Sequence, residues 1–210
     1  MRPRECRGNS DFDVTHYFNG NFIYELPFGR GKALAGNAPR WLDEVIGHWS
    51  VAGLPSVHSG NAYFASSSAF VAGYANDAPA ILTGPISDLH IHLNGGKGQP
   101  LNAFANPTQA NADFVGPIGF QIGSRNNLRG PSYFDMDMGL GKEFPLGSER
   151  FALKFRADAF NVFNHPNFST PCVDITGGCP FGVIGSTVGT NINNGGPSAR
   201  VLQLALRLEF

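Results

Sequence analysis

Two histidines, His90 and His92, come nearest to a metal site in type and spacing. They stand at i and i+2 in the stretch Asp88-Leu-His-Ile-His92, so an extended backbone would place both rings on one face. Metal capture of the zinc type needs three or four ligands, and no further His or Cys follows at a motif-like spacing. We therefore expect a polar loop face here and no metal ion.

The cysteines offer a second kind of chemistry. Cys172 and Cys179 are close in sequence, whereas Cys6 is far from both. In an oxidising compartment the close pair would form a disulfide across a small loop. We expect that disulfide, and the alternative is three unrelated thiols.

Catalysis and nucleic-acid binding find no support in the residue pattern. Ser, His and Asp are plentiful, but nothing resembles a nucleophile elbow, and the separated glycines make no phosphate loop. The formal net charge is -1 and there is no block of Lys or Arg to attract nucleic acid. We expect a protein that is not an enzyme, has no cofactor and does not bind nucleic acid.

The last ten residues, Val201-Leu-Gln-Leu-Ala-Leu-Arg-Leu-Glu-Phe210, alternate with a period of two. This pattern predicts a strand with one wholly apolar face that ends on an aromatic residue. A soluble edge strand could show the same alternation. A terminal Phe closing such a strand resembles the signal by which barrel-assembly machinery recognises outer-membrane proteins. That resemblance identifies Leu204, Leu206, Leu208 and Phe210 as assembly-signal candidates and the machinery as a partner.

Four further segments alternate in the same way, although Gly53, Pro55 and Gly60 weaken the pattern in the second of them. We predict an all-β fold in which five long strands form an antiparallel up-and-down meander, as an open section of a large outer-membrane β-barrel. The whole chain is one unit without a second domain. The five strands are expected near residues 13–28, 47–64, 132–144, 150–163 and 199–210.

Aromatic residues mark the ends of these segments. In an up-and-down meander, the strand ends alternate between the two sides of the membrane. At both ends the aromatic residue has the same parity as the apolar face of its strand. The ends away from the C-terminus carry Phe18, Tyr63, Phe134 and Phe163. Spanning strands carry such aromatic girdles at both interfaces. The girdle predicted on the side of the C-terminus consists of Phe28, Trp49, Phe144, Phe151 and Phe210.

The connections fall into two classes. On the side of the C-terminus lie a tight turn at residues 145–149 and a link at residues 29–46, in which residues 39–46 are expected to form a short helix. On the other side lie two long Gly-, Asn- and Pro-rich loops, residues 65–130 and 164–198. Short turns on one side with long loops on the other are the barrel asymmetry. We expect the long loops to be extracellular.

Composition agrees with this architecture. Charged residues make up 15%, and Gly (27) and Phe (18) are frequent; an average soluble domain has about 25% charged residues. No run approaches the ~18 apolar residues of a spanning helix. The first 14 residues show no apolar export signal. Because five strands would leave both sheet edges unpaired in lipid, we expect a fragment of a longer barrel, or a truncated version of one.

Particular stretches then resemble a known family. These are Arg7-Gly-Asn-Ser-Asp-Phe-Asp-Val14, Tyr24-Glu-Leu-Pro-Phe-Gly29, Arg125-Asn-Asn-Leu-Arg-Gly-Pro131 and Phe155-Arg-Ala-Asp-Ala-Phe-Asn-Val-Phe-Asn-His-Pro-Asn-Phe168. They are similar to the C-terminal barrel of Oar-like TonB-dependent receptors. The resemblance implies outer-membrane transport, with this chain supplying wall, extracellular loops and assembly signal. It also implies that an N-terminal barrel portion and plug are needed, that TonB is reached only through those parts, and that outer-membrane lipid surrounds the wall.

The parity of the strands places a set of polar residues on the face opposite the apolar one. Facing lipid, each Arg or Lys near the midplane would cost ~2–4 kcal/mol, so the lumen is the expected direction. These residues either line the substrate path and hold the plug, or only hydrate and cross-link the wall. The set consists of Asp135, Asp137, Lys154, Arg156, Asp158, Gln203 and Arg207.

Two alternatives to the transporter stay open. One is a structural or adhesive surface barrel, in which the resemblance reflects envelope architecture instead of import. The other is a soluble β-sandwich binding protein, in which the apolar faces would pack on each other. The matched aromatic ends favour the membrane barrel over the sandwich.

Overall fold

A computed structural model describes residues 8–75, 77–96, 98–145, 151–188 and 199–210. Within these residues most of the regular structure is β-strand, with two short α-helices and one 3-10 helix (Ile86–Leu89). The elements are β1 (Tyr17–Asn19), β2 (Phe22–Glu25), α1 (Arg40–Ile46), β3 (Trp49–His58), β4 (Ala62–Tyr63), β5 (Ser66–Ser67), β6 (Ala78–Pro79), β7 (Ile81–Leu82), β8 (Asn94–Gly96), β9 (Gln99–Asn102), α2 (Pro107–Ala112), β10 (Phe114–Val115), β11 (Leu128–Arg129), β12 (Tyr133–Pro145), β13 (Ala152–Phe160) and β14 (Val201–Glu209).

The long strands form one antiparallel sheet in the order β1/β2, β3, β12, β13, β14. β1 and β2 pair with successive parts of β3, so together they make one strand interrupted at residues 20 and 21. Each strand therefore pairs with its neighbours in the chain, as in a meander. The predicted all-β antiparallel fold of five long strands is confirmed, and the described residues form an open sheet instead of a closed barrel.

The observed strands are mostly shorter than the alternation predicts. The first covers residues 17–25 in two pieces, and the second ends at His58 because the chain then turns at Gly60, where an added Cβ would lie 1.8 Å from the carbonyl oxygen of Gly130. Tyr63 consequently pairs with Leu128 in β4–β11, outside the main sheet. The fourth strand ends at Phe160 and so excludes Phe163, while position 150, its predicted start, lies outside the described residues.

The two long connections between strands form a compact unit, which we call the loop cap: the described residues of 62–131 and 161–188. Short strand pairs β4–β11, β5–β6, β7–β10 and β8–β9 run through it. α2 begins at Pro107, whose fixed φ suits a first helical position, and the Asn106 side chain accepts a hydrogen bond from the Gln109 N–H at 3.2 Å. The predicted polar loops are therefore regularly structured.

A hydrophobic core holds the cap together. The rings of Phe104 and Phe114 lie 5.6 and 6.1 Å from that of Phe181, and backbone hydrogen bonds such as Ile184 N–H to Leu101 O (2.9 Å) join the two connections. The buried members are Tyr63, Ala65, Ala80, Leu89, Ala103, Phe104, Ala110, Phe114, Leu128, Phe181 and Ile184.

At the opposite end of the sheet, α1 lies in the link between β2 and β3. The helix was predicted over residues 39–46, and Pro39 takes the N-cap position without a side-chain hydrogen bond. The helix ends at Ile46, and the N–H of its C-cap residue Gly47 donates to Asp43 O at 2.7 Å. His48 follows with a φ of 59°. Among the described residues no helix is long and apolar enough to cross a membrane.

Candidate functional site

One face of the main sheet carries all seven polar residues that were predicted to lie on the same side. Residues directly opposite each other in neighbouring strands project to the same face. The register pairs Lys154 with Arg207 and Asp158 with Gln203, and Gly139, which shares the parity of Asp135 and Asp137, lies opposite Asp158. All seven predicted residues therefore lie on one face; that this face lines a lumen remains a prediction.

Ion pairs balance the charges near the short-turn end of this polar face. Lys154 and Arg207 stand directly opposite each other, an arrangement of like charges that is unfavourable alone. Glu209 lies between them, with its Oε2 2.7 Å from Lys154 Nζ and its Oε1 3.5 Å from Arg207 Nε. The sequence reasoning missed Glu209, although its parity equals that of Arg207.

Two glycines of β12 make room on the polar face. A Cβ at Gly139 would lie 2.8 Å from Asp158 Oδ1, and a Cβ at Gly141 would lie 2.8 Å from Ser50 Oγ. Glycine inside a strand commonly marks such a close approach. The space lets Asp158 accept a hydrogen bond from Arg156 Nε at 2.9 Å.

Towards the loop cap the polar face becomes aromatic. The His58 ring stacks on Tyr133 with centroids 4.8 Å apart, and Tyr17 follows at 6.1 Å, because these residues are directly paired across β1, β3 and β12. Next to the row, Asp135 is buried and its Oδ1 has no hydrogen-bond partner among the described residues. The row was not predicted; the parity of Tyr133 is the signal that was available for it.

Below this row, Asp137 has a defined partner. Its Oδ1 accepts a hydrogen bond from the Asn161 N–H at 2.9 Å. Asn161 is buried and has a φ of 50°, and its side-chain oxygen accepts from the His165 N–H at 2.9 Å. The Phe-Asn-His-Pro stretch thus forms a tight turn at the top of β13, which explains why Asn recurs there: it tolerates positive φ better than most residues.

The opposite face of the sheet is apolar and exposed. Leu204, Leu206 and Leu208 of the predicted assembly signal line up with Ala157, Phe155 and Leu153 of β13, and the side chain of Leu204 is 72% exposed. Phe210 follows β14 directly. Of the predicted girdle, Trp49 and Phe144 lie on this face within strands, whereas Phe28 and Phe151 lie just beyond the ends of β2 and β13.

A lysine interrupts this apolar face. Lys142 lies directly opposite Trp49, is buried, and places its Nζ 4.9 Å from the Trp49 ring and 4.8 Å from the Phe144 ring. The ammonium also donates a hydrogen bond to Gly47 O at 2.6 Å. The sequence analysis overlooked Lys142, although it is the one charged residue at an even position of β12.

In the cap, Cys172 and Cys179 are joined by a disulfide. Within the closed loop, Asp174 Oδ1 accepts hydrogen bonds from Thr176 Oγ1 (2.6 Å) and N–H (2.8 Å), and its Oδ2 accepts one from the Gly178 N–H (3.0 Å). These bonds, that from the Thr176 hydroxyl foremost, lower the pKa of the Asp174 carboxyl. Cys6, the third cysteine, lies outside the described residues.

Two of the motifs that carried the family resemblance bind each other. Asn126 Nδ2 donates to Asn9 O and to Asp11 Oδ1, both at 2.7 Å, and Arg125 pairs with Asp11 at 2.8 Å. The hydrogen bond from Asn126, assisted by the Arg125 charge, lowers the pKa of Asp11. We call this contact, together with the ion pair between Arg129 and Asp13, the clasp: residues 9–13 with residues 125–129.

The histidine pair adds no further site. His92 donates its N–H to Ala103 O at 2.7 Å. Within the part of the chain that the structure describes, no three His, Cys, Asp or Glu residues are arranged to hold a metal ion.

Comparison with known proteins identifies the family of this chain. A family model described as "Outer membrane beta barrel domain" matches residues 1–203. Comparisons with curated proteins and with solved structures gave no match. The matched range spans nearly all of the 210 residues, and the sheet has one polar and one exposed apolar face, as a barrel wall requires. The chain therefore belongs to the outer membrane beta barrel domain family, and its location is the outer membrane.

Proposed function

We propose that the chain forms part of the wall of a TonB-dependent, Oar-like outer-membrane transporter, with the polar sheet face lining the path of the substrate. The observation that carries the proposal is the register: it puts Asp135, Asp137, Arg156 and Asp158 on one side of the sheet and leaves the other side almost wholly apolar. A wall of this kind separates lipid from a polar interior.

The direction of the strands supports a wall that is completed by other strands. With five strands in an antiparallel sheet, the two open edges, β1/β2 and β14, run in the same direction. Copies placed side by side would meet in a parallel pair, whereas bacterial barrels of this kind are antiparallel throughout. An odd number of further strands closes such a barrel, as the N-terminal barrel portion of a transporter would.

The loop cap fits the extracellular mouth of a transporter. It lies at the end of the sheet opposite α1 and the C-terminus, and the clasp fastens it to residues 9–13, which precede β1. In this proposal the Tyr17, His58 and Tyr133 row and the buried Asp135 face the space beneath the cap, where a substrate would first meet the wall. The plug would contact the balanced charges around Lys154, Arg207 and Glu209 further down.

The partners follow from the same proposal. Lipid contacts the apolar face, and the barrel-assembly machinery would recognise the strand that ends in Phe210. TonB would act through the plug and its contact segment, and this chain itself would have no catalytic role.

Binding to TonB tests the transporter assignment. The complete protein, with the plug and the further barrel strands that the proposal requires, is isolated from outer membranes and mixed with the purified periplasmic C-terminal domain of TonB from the same organism. We expect a complex that elutes together in size-exclusion chromatography. Absence of binding, with the protein folded in detergent, would contradict the transporter and leave a surface barrel.

A structural or adhesive barrel is the second candidate, and one observation favours it. Phe70, Ile118 and Phe120 are strongly exposed on the cap, and the Ala72 N–H donates to Gly119 O at 3.1 Å, so they belong to adjacent turns. Exposed apolar clusters of this kind mark contact surfaces. An adhesive role predicts that replacing all three by Ser reduces attachment of cells to surfaces while the TonB complex is unaffected.

A further inference from the structure

The exposed surface of α1 has two halves of opposite character. Trp41 and Val45, at i and i+4, lie on the same side of the helix and are 68% and 60% exposed. Arg40 and Glu44 lie beside them on the second exposed side, and Arg40 Nε is 3.3 Å from Glu44 Oε1. A short helix with an apolar strip and an adjacent ion-paired strip is amphipathic along its exposed surface.

The third side of α1 holds the helix against the protein. Asp43 Oδ1 accepts a hydrogen bond from the Arg30 N–H at 2.5 Å, and Leu42 and Ile46 are partly buried. A Cβ at Gly29 would lie 2.6 Å from Asp43 Oδ1, so the link packs tightly on this side. The apolar strip of Trp41 and Val45 is thus left exposed by a fixed packing arrangement.

Two contacts connect α1 with the lipid-facing side of the sheet. Trp49 Nε1 donates to Val45 O at 3.0 Å, and Lys142 Nζ donates to Gly47 O at 2.6 Å. Both Trp49 and Lys142 project from the apolar face of the sheet. The C-terminal end of α1, which includes Val45 of the apolar strip, is therefore fastened to the sheet face that meets lipid in an outer-membrane barrel.

We propose that α1 lies in the plane of the membrane–water interface on the short-turn side, with Trp41 and Val45 inserted among the phospholipids. Trp is favoured at this depth because its ring is apolar and its N–H is polar, and in-plane amphipathic helices bury their apolar side at the boundary of headgroups and acyl chains. The Arg40 and Glu44 pair then faces water.

Lys142 supplies a positive charge next to the C-terminal end of α1. A charged side chain on the lipid-facing surface extends towards the interface, and the rings of Trp49 and Phe144 with Gly47 O receive its ammonium. The site anchors the end of the barrel wall at a fixed depth. The proposal rests on membership of the outer-membrane barrel family and is independent of TonB.

Spin-label accessibility measures the depth of the helix. In the complete protein, with Cys6→Ser as background, nitroxide labels are placed at Val45→Cys and, as a matched control one residue away, at Glu44→Cys. The protein is reconstituted in vesicles of phosphatidylethanolamine and phosphatidylglycerol. Relaxation by oxygen, which concentrates in lipid, is compared with relaxation by a water-soluble nickel chelate.

We expect the ratio of oxygen to nickel accessibility to be several-fold higher at position 45 than at position 44. A label at Leu206→Cys, on the apolar face, gives the reference value for lipid. Equal, nickel-dominated accessibility at positions 44 and 45, with the reference label in lipid, would overturn the proposal. A reference label exposed to nickel would overturn it as well, since the sheet face would then not meet lipid. TonB binding is measured separately, so failure of one proposal is distinguishable from failure of the other.

Discussion

The main sheet and the loop cap differ in where their apolar side chains lie: those of the sheet are not fully buried, whereas the cap buries many of its own. The structure has 15 buried apolar residues in its described parts, and none of them lies in the five long strands. All but Ala38 lie in the cap, between Ala62 and Ile184. The regular part of the molecule thus has no core of its own, whereas the part predicted as polar loops has one.

The surroundings proposed for the sheet and for the cap account for this difference. A strand that meets lipid on one face and a polar interior on the other needs alternation only, so its apolar residues stay exposed within the protein. In the proposed topology the cap meets water, and residues there must bury apolar area against each other. The long loops of this barrel are therefore folded as a small soluble domain would be.

The largest expected effect comes from removing a ring from the core of the cap. Phe104 is 0% exposed, and Phe104→Ala should destabilise the cap by ~3–5 kcal/mol. Because the sheet does not share that core, its stability should be unchanged. Hydrogen exchange read by mass spectrometry should show lost protection in cap peptides only. Phe120→Ala, at a side chain 82% exposed, is the control; loss of protection in strands β12–β14 would contradict the separation.

A charge on the apolar face should damage the sheet and spare the cap. Leu204→Arg places a cation on the apolar face of the last strand, and in the proposed wall, where this face meets lipid, the expected cost is ~2–4 kcal/mol near the midplane. Gln203→Arg, one residue earlier, places the same charge on the polar face opposite Asp158. Urea unfolding in phospholipid vesicles should show a lower stability for the first variant only. Equal destabilisation would show that the faces are not distinguished by lipid.

Loss of the disulfide is expected to destabilise the cap, by less than the loss of the Phe104 ring. Closing the short loop between Cys172 and Cys179 should stabilise the folded cap by roughly 2–3 kcal/mol in the loop-entropy description. The double substitution to Ser should therefore increase cleavage of the cap by protease added to whole cells, and a reductant should do the same to the wild type. Cys6→Ser is the control, and sensitivity in that variant would mean that another thiol matters.

Alternation was sufficient to predict the sheet, its order and its two faces. Apolar and polar residues alternate along each long strand, so parity alone assigns the two faces. The register, such as Lys154 opposite Arg207 and Asp158 opposite Gln203, comes from the structure. Strand ends were less predictable. β3 stops at His58 because a loop crosses at Gly60 and Gly130, a contact between distant residues.

The cap could not be predicted because its elements are too short to have a period. Its paired strands are two to four residues long, and much of its core is Ala, which carries little signal of burial. The contact between Phe104 and Phe181 joins loops that are separate in sequence. Lys142 is the opposite case: the sequence shows one charged residue at an even, apolar position of β12, and that signal was overlooked.

The smallest effect is expected where the cap joins the sheet, at the clasp. The pKa of Asp11 is lowered by the Asn126 hydrogen bond and by Arg125. A carboxyl with a lowered folded pKa stabilises the contact above its unfolded pKa of about 3.9, and this contribution is lost as the pH falls through the folded value. The clasp should therefore open in acid below about pH 4, before the core of the cap unfolds.

The variant Asp11→Asn distinguishes opening of the clasp from unfolding of the core of the cap. The amide does not titrate in this range, so the variant should show a weaker clasp at neutral pH and no acid-dependent step there, whereas Phe104→Ala should keep that step. Exchange of the backbone amides near Asn126, followed by NMR from pH 7 to pH 3, measures both. An acid step that persists in Asp11→Asn would show that the transition does not come from Asp11. Retention of the cap fold after the clasp opens would mean that the cap folds on its own core and is only fastened to the sheet.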